Sequence, residues 1–292
     1  MFNTLASPTP AAGGRDQLAV RDFERIAELI GTEVGIRLHA SKRSMVEARL
    51  RRRLRDLNIP SLADYCDHLF RQGGLQTEMP NLINVLTTNK TDFFREPQHF
   101  ELLKTQLLPD LLTRRRHKRM PLIKVWSAAC STGAEAYTTA MVLADMAAQR
   151  RDFRFAILGT DVSTDVLREA RIGAYSEDHI SPVPRPMQDR YCMWARRKGT
   201  VPDVRITPDL RRMVNFNYLN LMDTHYPVDR DVDIIFLRNV LIYFDKVDQA
   251  KVINQLVSHL RPGGYLLLGH SESMSGNPAA VRQLAPATFQ RV

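Results

Sequence analysis

A chain of 292 residues carrying a net charge of +9, with a pI near 9.7, has room for one large α/β domain and a smaller companion. Its basicity points to an acidic partner: nucleic acid, anionic lipid or an acidic protein face. Three widely separated cysteines, Cys66, Cys130 and Cys192, suggest neither a disulfide framework nor a zinc site, and no metal is expected. No apolar run approaches the roughly 18 residues that a membrane span needs, so a cytoplasmic protein without membrane insertion is expected.

Residues 1–16 are rich in Pro, Ala, Gly and Ser and are expected to form a disordered tail. Residues 17–87 read as an all-helical, basic N-terminal domain. Leu18, Phe23, Ile26, Ala27, Leu29 and Ile30 recur at helical spacing, and Gly31 and Gly35 mark a break. A second helix is expected from Ser41, as its N-cap, to Leu57, with Val46, Leu50, Leu54 and Leu57 on one stripe. Lys42, Arg43, Arg49, Arg51, Arg52, Arg53 and Arg55 cover most of its remaining circumference, opposed only by Glu47 and Asp56. Asn58-Ile59-Pro60 ends it, and Ser61 caps another helix reaching Leu69.

Residues 88–121 read as a linker that carries the segment Thr88 to Arg95, with Pro97 and Pro109 as punctuation. The cluster Arg114 to Arg119 is most simply a solvated helix end and connector, with RNA binding as the alternative. From residue 122 to 292 strands and helices alternate. Strands are expected near 122–127, 153–160, 213–219, 232–237 and 264–269, and helices near 134–150, 164–171 and 246–260. That order implies a parallel sheet with right-handed crossovers, a Rossmann-like fold. Residues 173–212, rich in Pro, Arg and short β-type runs, read as a small inserted β-subdomain.

The most informative stretch is Val125-Trp126-Ser127-Ala128-Ala129-Cys130-Ser131-Thr132-Gly133-Ala134-Glu135, together with Ala156 to Asp161. An apolar strand ends in a turn of small residues, a helix follows, and a second apolar strand ends in Asp. This is half of a dinucleotide-type unit, in which the small turn admits a ligand and the acid accepts two ribose hydroxyls. The turn lacks the full G-x-G-x-x-G spacing, which disfavours a pyrophosphate and suits a nucleoside such as S-adenosylmethionine.

Four motifs in order extend the match: Thr88 to Glu96, Trp126 to Gly133, Arg238-Asn239-Val240-Leu241-Ile242-Tyr243-Phe244, and Gly269-His270-Ser271-Glu272. On these the chain resembles the CheR-type chemotaxis receptor methyltransferases, which transfer methyl from S-adenosylmethionine to receptor glutamates and release S-adenosylhomocysteine. One departure stands out: the family usually has Glu-Pro-Tyr-Ser where this chain has Glu135-Ala136-Tyr137-Thr138.

The resemblance places Asn89, Thr91, Arg95, Ser127, Ala128, Glu135, Asp161, Asn220, Leu221, Arg238 and Asn239 at the cofactor. In this reading Asp161 takes the ribose hydroxyls, or else caps the helix after it. Glu135 holds the cofactor ammonium, or else compensates a helix dipole. Asn220 and Leu221 read the adenine edge. Arg95 and Tyr243 are the residues given to the reaction itself: Arg95 grips a carboxylate and Tyr243 orients the acceptor. Phe93, Phe94 and Tyr137 either stack on the ligand or belong to the core, and His270 is read as structural.

The resemblance also implies an acidic chemoreceptor helical bundle as partner, with Lys42, Arg43, Arg49, Arg52 and Arg53 as its contacts. In some members of the family the β insert docks a short receptor tail by adding a strand. Two other readings remain. A nucleic-acid methyltransferase suits the charge, but Asn239 to Tyr243 lacks the Asn/Asp-Pro-Pro-aromatic turn that holds a flipped base. A non-catalytic adaptor binding S-adenosylmethionine or receptor is kept open by Ala136 and Thr138.

Overall fold

The computed structural model describes residues 16–195, 204–274 and 280–292. The expected tail, apart from Asp16, and residues 196–203 of the insert lie outside the described residues. Among the described residues no helix is long and apolar enough to cross a membrane.

The N-terminal part comprises α1 (Val20–Val34), α2 (Arg43–Leu57), α3 (Leu62–Phe70) and α4 (Leu75–Leu86). Phe23, Ile26, Ile30, Val46, Leu50, Leu54, Leu62, Tyr65 and Leu82 form its own core, as the helical spacing requires. Two local expectations change. Gly31 lies inside α1, and only Gly35 ends that helix, in the left-handed region at φ 75°. Ser41 does not cap α2, because residues Ala40–Lys42 form a 3₁₀ turn leading into it. Asn58 ends α2 at φ 54°, and the Ser61 hydroxyl accepts the Asp64 N–H at the start of α3, as the sequence suggests.

After α4 the chain enters α5 (Pro97–Leu102), passes through a π turn at Leu103–Leu107, and continues as α6 (Leu108–Arg114). The alternating region then supplies β1 (Leu122–Ala128), α7 (Ala134–Arg150), β2 (Arg154–Asp161) and α8 (Thr164–Ile172). The insert follows with β3 (Ala174–Tyr175), α9 (Glu177–Ile180), α10 (Arg185–Tyr191), β4 (Cys192–Trp194), β5 (Val204–Ile206) and α11 (Pro208–Arg211). The main sheet resumes with β6 (Val214–Tyr218), β7 (Val232–Leu237), α12 (Lys246–His259) and β8 (Leu260–Leu268), and closes with β9 (Val281–Ala285) and β10 (Thr288–Arg291).

The main sheet has seven strands in the order β6-β2-β1-β7-β8-β10-β9, and the insert holds a separate sheet ordered β3-β5-β4. The five strands read from sequence pair in parallel, whereas β10 runs antiparallel to both β8 and β9. The sheet is therefore mixed, and its terminal hairpin was not anticipated. Alternation along the strands divides the core. Ile123, Val125, Ile157, Ile234, Phe236 and Leu267 face α7 on one side. Trp126, Ala128, Ile235, Leu237, Leu266 and Leu268 face α12 on the other. From β1 the chain builds outward through β2 to β6 and then crosses to β7 on the opposite side. That reversal opens a crevice beyond the carboxyl ends of β1, β2 and β7, where open α/β sheets bind ligands.

The arginine cluster after α6 is not wholly solvated. Arg115 is 6% exposed. Its guanidinium pairs with buried Asp233, which also takes Arg261 at 2.8 Å and the Lys124 backbone N–H at 2.8 Å.

Candidate active site

An open cavity lies at the crevice, and the helical domain helps to close it. Val34 and Ile36 line one wall and Thr87 to Asp92 another. Ala129 to Ser131, Glu135, Asp161 and Val162 form the floor, with Leu219 to Leu221 and Arg238 to Val240 completing the ring. The closure is held by polar contacts across the domains. The Asn220 amide donates to the Glu33 carbonyl at 2.6 Å, the Arg37 N–H to the Tyr243 carbonyl at 2.9 Å, and the Thr164 N–H to Asn84 Oδ1 at 2.9 Å. Gly35 fits this seam because a Cβ there would lie 2.6 Å from Met222 Sδ and 2.7 Å from the Phe244 ring.

The backbone around the cavity is unusually constrained. Of eight non-glycine residues with positive φ among the described residues, Phe94, Glu96, Ala129, Ser131 and Asn239 stand in the loops that form the site. Such conformations persist only where the surroundings fix them. In the β1–α7 turn, Gly133 at φ 87° makes room, since a Cβ would sit 2.9 Å from the Phe216 ring.

Asp161 ends β2 and is 7% exposed. One carboxylate oxygen accepts the Ser131 N–H at 2.8 Å and the other the Ser163 N–H at 2.9 Å. Burial pushes its carboxyl above the ordinary value, and the N–H groups of Ser163 and Ser131 pull it back. Each oxygen still has lone-pair capacity for a ligand hydroxyl. The acid thus braces the turn as well as facing the cavity.

A buried charge chain forms the opposite end. Arg238, with its side chain 2% exposed, lies 3.3 Å from Glu135 and 3.2 Å from Glu96. It also donates to the Arg95 carbonyl, while Ser127 Oγ donates to Glu135 at 2.6 Å. Burial raises the Glu135 carboxyl above its ordinary value, with Arg238 and then Ser127 opposing. Glu96 is held below its ordinary value: burial works against ionisation, but Arg238, the Asn239 amide and the His270 N–H together outweigh it. Beside it, burial and then Arg238 push His99 down to about 4.

The sequence-derived site residues divide. Asn89, Thr91, Arg95, Glu135, Asp161, Asn220, Leu221, Arg238, Asn239 and Tyr243 all line the cavity. Ser127 and Ala128 do not. Ser127 spends its hydroxyl on Glu135, and Ala128 is packed in the sheet core at 1% exposure, so the turn meets the cavity through Ala129, Cys130 and Ser131 instead. The Asn220 side chain binds Glu33 and the Met222 N–H, so its amide is occupied by the protein itself.

Phe93 and Tyr137 belong to the core: Phe93 packs edge-on to Tyr175 at 5.0 Å, and the Tyr137 hydroxyl donates to the Ala170 carbonyl at 2.8 Å. The aromatic walls are Phe100, Tyr243 and Phe244. Thr138, one of the two departures, donates to the Ala134 carbonyl and accepts the Phe94 N–H at 3.1 Å, tying the loop before α5 to α7.

Two of the five cations assigned to a partner are spent within the molecule. Arg49 reaches the carbonyls of Leu86 at 2.9 Å and Thr87 at 2.8 Å, neutralising the C-terminal end of α4 just before the cavity wall. Arg53 makes a two-pronged pair with Glu78, at 2.8 and 2.6 Å, which also accepts the Tyr65 hydroxyl. A helix that looked uniformly cationic therefore turns these two side chains inward. Lys42 and Arg52 are exposed, and Arg43 lies 3.7 Å from Glu47.

Glu272 was missed as a site residue, although its motif was noted. Its carboxylate accepts three backbone N–H groups, from Asn239 at 2.8 Å, Leu241 at 2.7 Å and Gly269 at 2.7 Å. It fixes the loop that carries Asn239 and Tyr243. An acid shortly after a glycine that ends a strand is the signal that marked it.

Residues 89–289 match the family described as CheR methyltransferase, SAM binding domain, and residues 21–87 match CheR methyltransferase, all-alpha domain. A chemotaxis protein methyltransferase of Borreliella burgdorferi is 36% identical over 272 residues, 92% of this chain and 94% of that protein. Chemotaxis protein methyltransferase 2 of Pseudomonas aeruginosa is 36% identical over 288 residues, covering 97% and 98%. The chemotaxis protein methyltransferase of Escherichia coli K12 is 39% identical over 265 residues, covering 89% and 87%.

Proposed function

The chain belongs to the CheR methyltransferase family, whose cofactor is S-adenosylmethionine, and on this basis we propose that it methylates glutamate side chains of chemoreceptors. The observation that carries this reading is the contrast between the two arginines of the cavity. Arg238 is buried and divided between two carboxylates, whereas the Arg95 guanidinium makes one hydrogen bond among the described residues, at 3.2 Å to the Lys90 carbonyl. A guanidinium with open donors on the cavity wall suits an anionic acceptor.

The pocket fits the cofactor on its own chemistry. Asp161 faces the cavity with acceptor capacity for ribose hydroxyls, and the Glu135 carboxylate, steadied by Arg238, offers a partner for an ammonium. Bound there, S-adenosylmethionine supplies an already activated sulfonium methyl. The protein's task is then alignment, which is worth on the order of 7–11 kcal/mol when donor and acceptor are held in line.

A glutamate acceptor, with an ordinary pKa of about 4.3, is an anion near neutral pH and needs no general base. In keeping with that, the described cavity lining contains no histidine. In this reading Arg95 holds the acceptor carboxylate and Tyr243 orients it. The exposed cations of α2 and the turn before it, chiefly Arg52 and Lys42, attract the acidic receptor bundle. Docking of a receptor tail on the insert is a further expectation of the family, and β4, an edge strand among the described residues, is of the kind such docking uses.

The test is transfer of labelled methyl from S-adenosylmethionine to a receptor cytoplasmic fragment, with bulk RNA as a parallel acceptor. Alkali-labile label on the receptor, released as methanol, is the expected result. Stable label on RNA would overturn the reading in favour of a nucleic-acid methyltransferase, and cofactor binding without turnover would favour an adaptor.

A further inference from the structure

Next to the charge chain, three side chains converge without forming a finished set of contacts. Glu96 precedes α5, His99 lies in its first turn, and His270 follows β8. One ligand atom from each can be chosen so that all lie within 4.8 Å of one another. His99 Nδ1 is 3.5 Å and His270 Nε2 4.0 Å from Glu96 Oε2, and the two rings meet edge to face with centroids 4.8 Å apart.

The second observation concerns His99 itself. It is 2% exposed, and among the described residues neither ring nitrogen has a hydrogen-bond partner. Buried polar atoms in that condition are uncommon and call for an explanation. Nothing in the methyl-transfer chemistry uses this imidazole.

Two imidazoles and one carboxylate are the donor set of open zinc sites, in which the fourth position is left to water. An ion with bonds of roughly 2.0–2.1 Å in tetrahedral geometry holds its ligands about 3.3–3.5 Å apart. The Glu96–His99 spacing already meets that, and His270, with its side chain 44% exposed, has the freedom to close the rest.

We propose that Glu96, His99 and His270 bind a transition-metal ion of the Zn²⁺ class, and that the bound ion inhibits methyl transfer. Inhibition follows from what Glu96 otherwise does. Its carboxylate accepts the Asn239 amide at 3.2 Å and lies 3.2 Å from Arg238, two residues of the cavity wall. An ion on Glu96 Oε2 competes for the oxygen that faces Arg238 and leaves the Asn239 amide on Oε1, so it disturbs the wall through Arg238. The same neighbouring guanidinium repels the ion, so occupancy is reversible rather than structural.

The experiment uses the full chain with Co²⁺ as a spectroscopic probe and Zn²⁺ as competitor and inhibitor. The visible absorption of a four-coordinate Co²⁺ is expected at one ion per chain and is abolished by added Zn²⁺. In His270→Ala, which alters an exposed side chain and should leave basal turnover intact, affinity falls by about tenfold or more. Zn²⁺ then no longer inhibits that variant at concentrations that silence the parent, and a chelator restores the parent. His99→Gln, checked for folding by its thermal midpoint, removes the band as well.

Absence of the Co²⁺ band in the parent, or an unchanged band in His270→Ala, would overturn the site. A band without inhibition would overturn its regulatory half. The absorption arm reads no activity, so its outcome is independent of the methyltransferase reading, on which only the inhibition arm rests.

Discussion

Replacing Glu272 by Gln tests whether one carboxylate sets the geometry of the loop that carries Asn239 and Tyr243. Its Oε2 accepts the N–H groups of Asn239 and Gly269, and Oε1 accepts that of Leu241. Glu272 is 8% exposed, so these bonds are poorly replaced by water. A hydrogen bond to a charged group is worth about 1.5–3 kcal/mol. The amide keeps one acceptor oxygen, and the cheaper orientation leaves that oxygen on Asn239 and Gly269 while its NH₂ confronts the Leu241 N–H. The loss is then one charged bond plus a donor–donor conflict, about 2–3 kcal/mol.

For a chain of this size that corresponds to a fall of about 3–5 °C in thermal midpoint. Because Leu241 sits between Asn239 and Tyr243, the released loop should also lower kcat/KM for methyl transfer by about ten- to a hundredfold. Thermal unfolding followed by fluorescence, together with labelled-methyl kinetics on a receptor fragment, reads both effects. A Glu272→Gln variant unchanged in midpoint and in kcat/KM would refute the assignment of Glu272 as the residue that positions this loop.

Removing the cation in Arg238→Met should raise the Glu135 carboxyl further above its ordinary value, because burial then acts with less opposition. Cofactor affinity, measured by calorimetry, should fall about tenfold or more and recover in part as pH rises and Glu135 ionises. Glu78→Ala strands Arg53 and the Tyr65 hydroxyl in the helical core, and should cost about 3–5 kcal/mol. In the parent, Arg53 holds Glu78 below its ordinary value. The stability from that pair is therefore complete above the unfolded pKa of about 4.3 and is lost as pH falls through the lower folded value, so Glu78→Gln should flatten this limb of an acid-unfolding curve. Reversing Lys42 and Arg52 together to Glu should reduce kcat/KM for receptor by about tenfold, mainly through KM, with cofactor affinity unchanged. Arg49→Glu should instead weaken cofactor binding, since Arg49 holds the carbonyls that lead into the cavity wall. Equal effects of the two reversals on cofactor affinity would defeat that distinction.

Much of the architecture was legible because it rests on local and periodic information. The strands β1, β2, β6 and β7 and the helices α7, α8 and α12 fall within a residue or so of where apolar alternation, caps and turn residues put them. Asp161 was recognisable because an acid ending the second strand of such a unit faces the crevice whatever lies on the outside of the sheet. The terminal hairpin β9–β10 was not seen, since Val281 to Ala285 is mostly exposed and carries little apolar alternation. Ser41 failed as a cap because the 3₁₀ turn before α2 makes other hydrogen bonds there.

Residue order and periodicity were enough for the fold class, the small-residue turn and the kinds of charged group that surround the cavity. Which of those charges face the ligand and which face the protein was settled by packing in three dimensions. Arg49 and Arg53 lie on a helix whose composition reads as a uniform basic surface, yet unsatisfied carbonyls at the end of α4 and a buried carboxylate at Glu78 claim both of them. Those partners stand some 25 to 38 residues away along the chain. Glu272 finds Asn239 across 33 residues, and Arg238 finds Glu96 and Arg95 from a different motif altogether. A charge has no periodicity that reveals its partner. Its role is fixed by the low-dielectric neighbourhood that folding builds around it, where an unpaired group is too costly to leave and the nearest counter-charge or backbone dipole takes it.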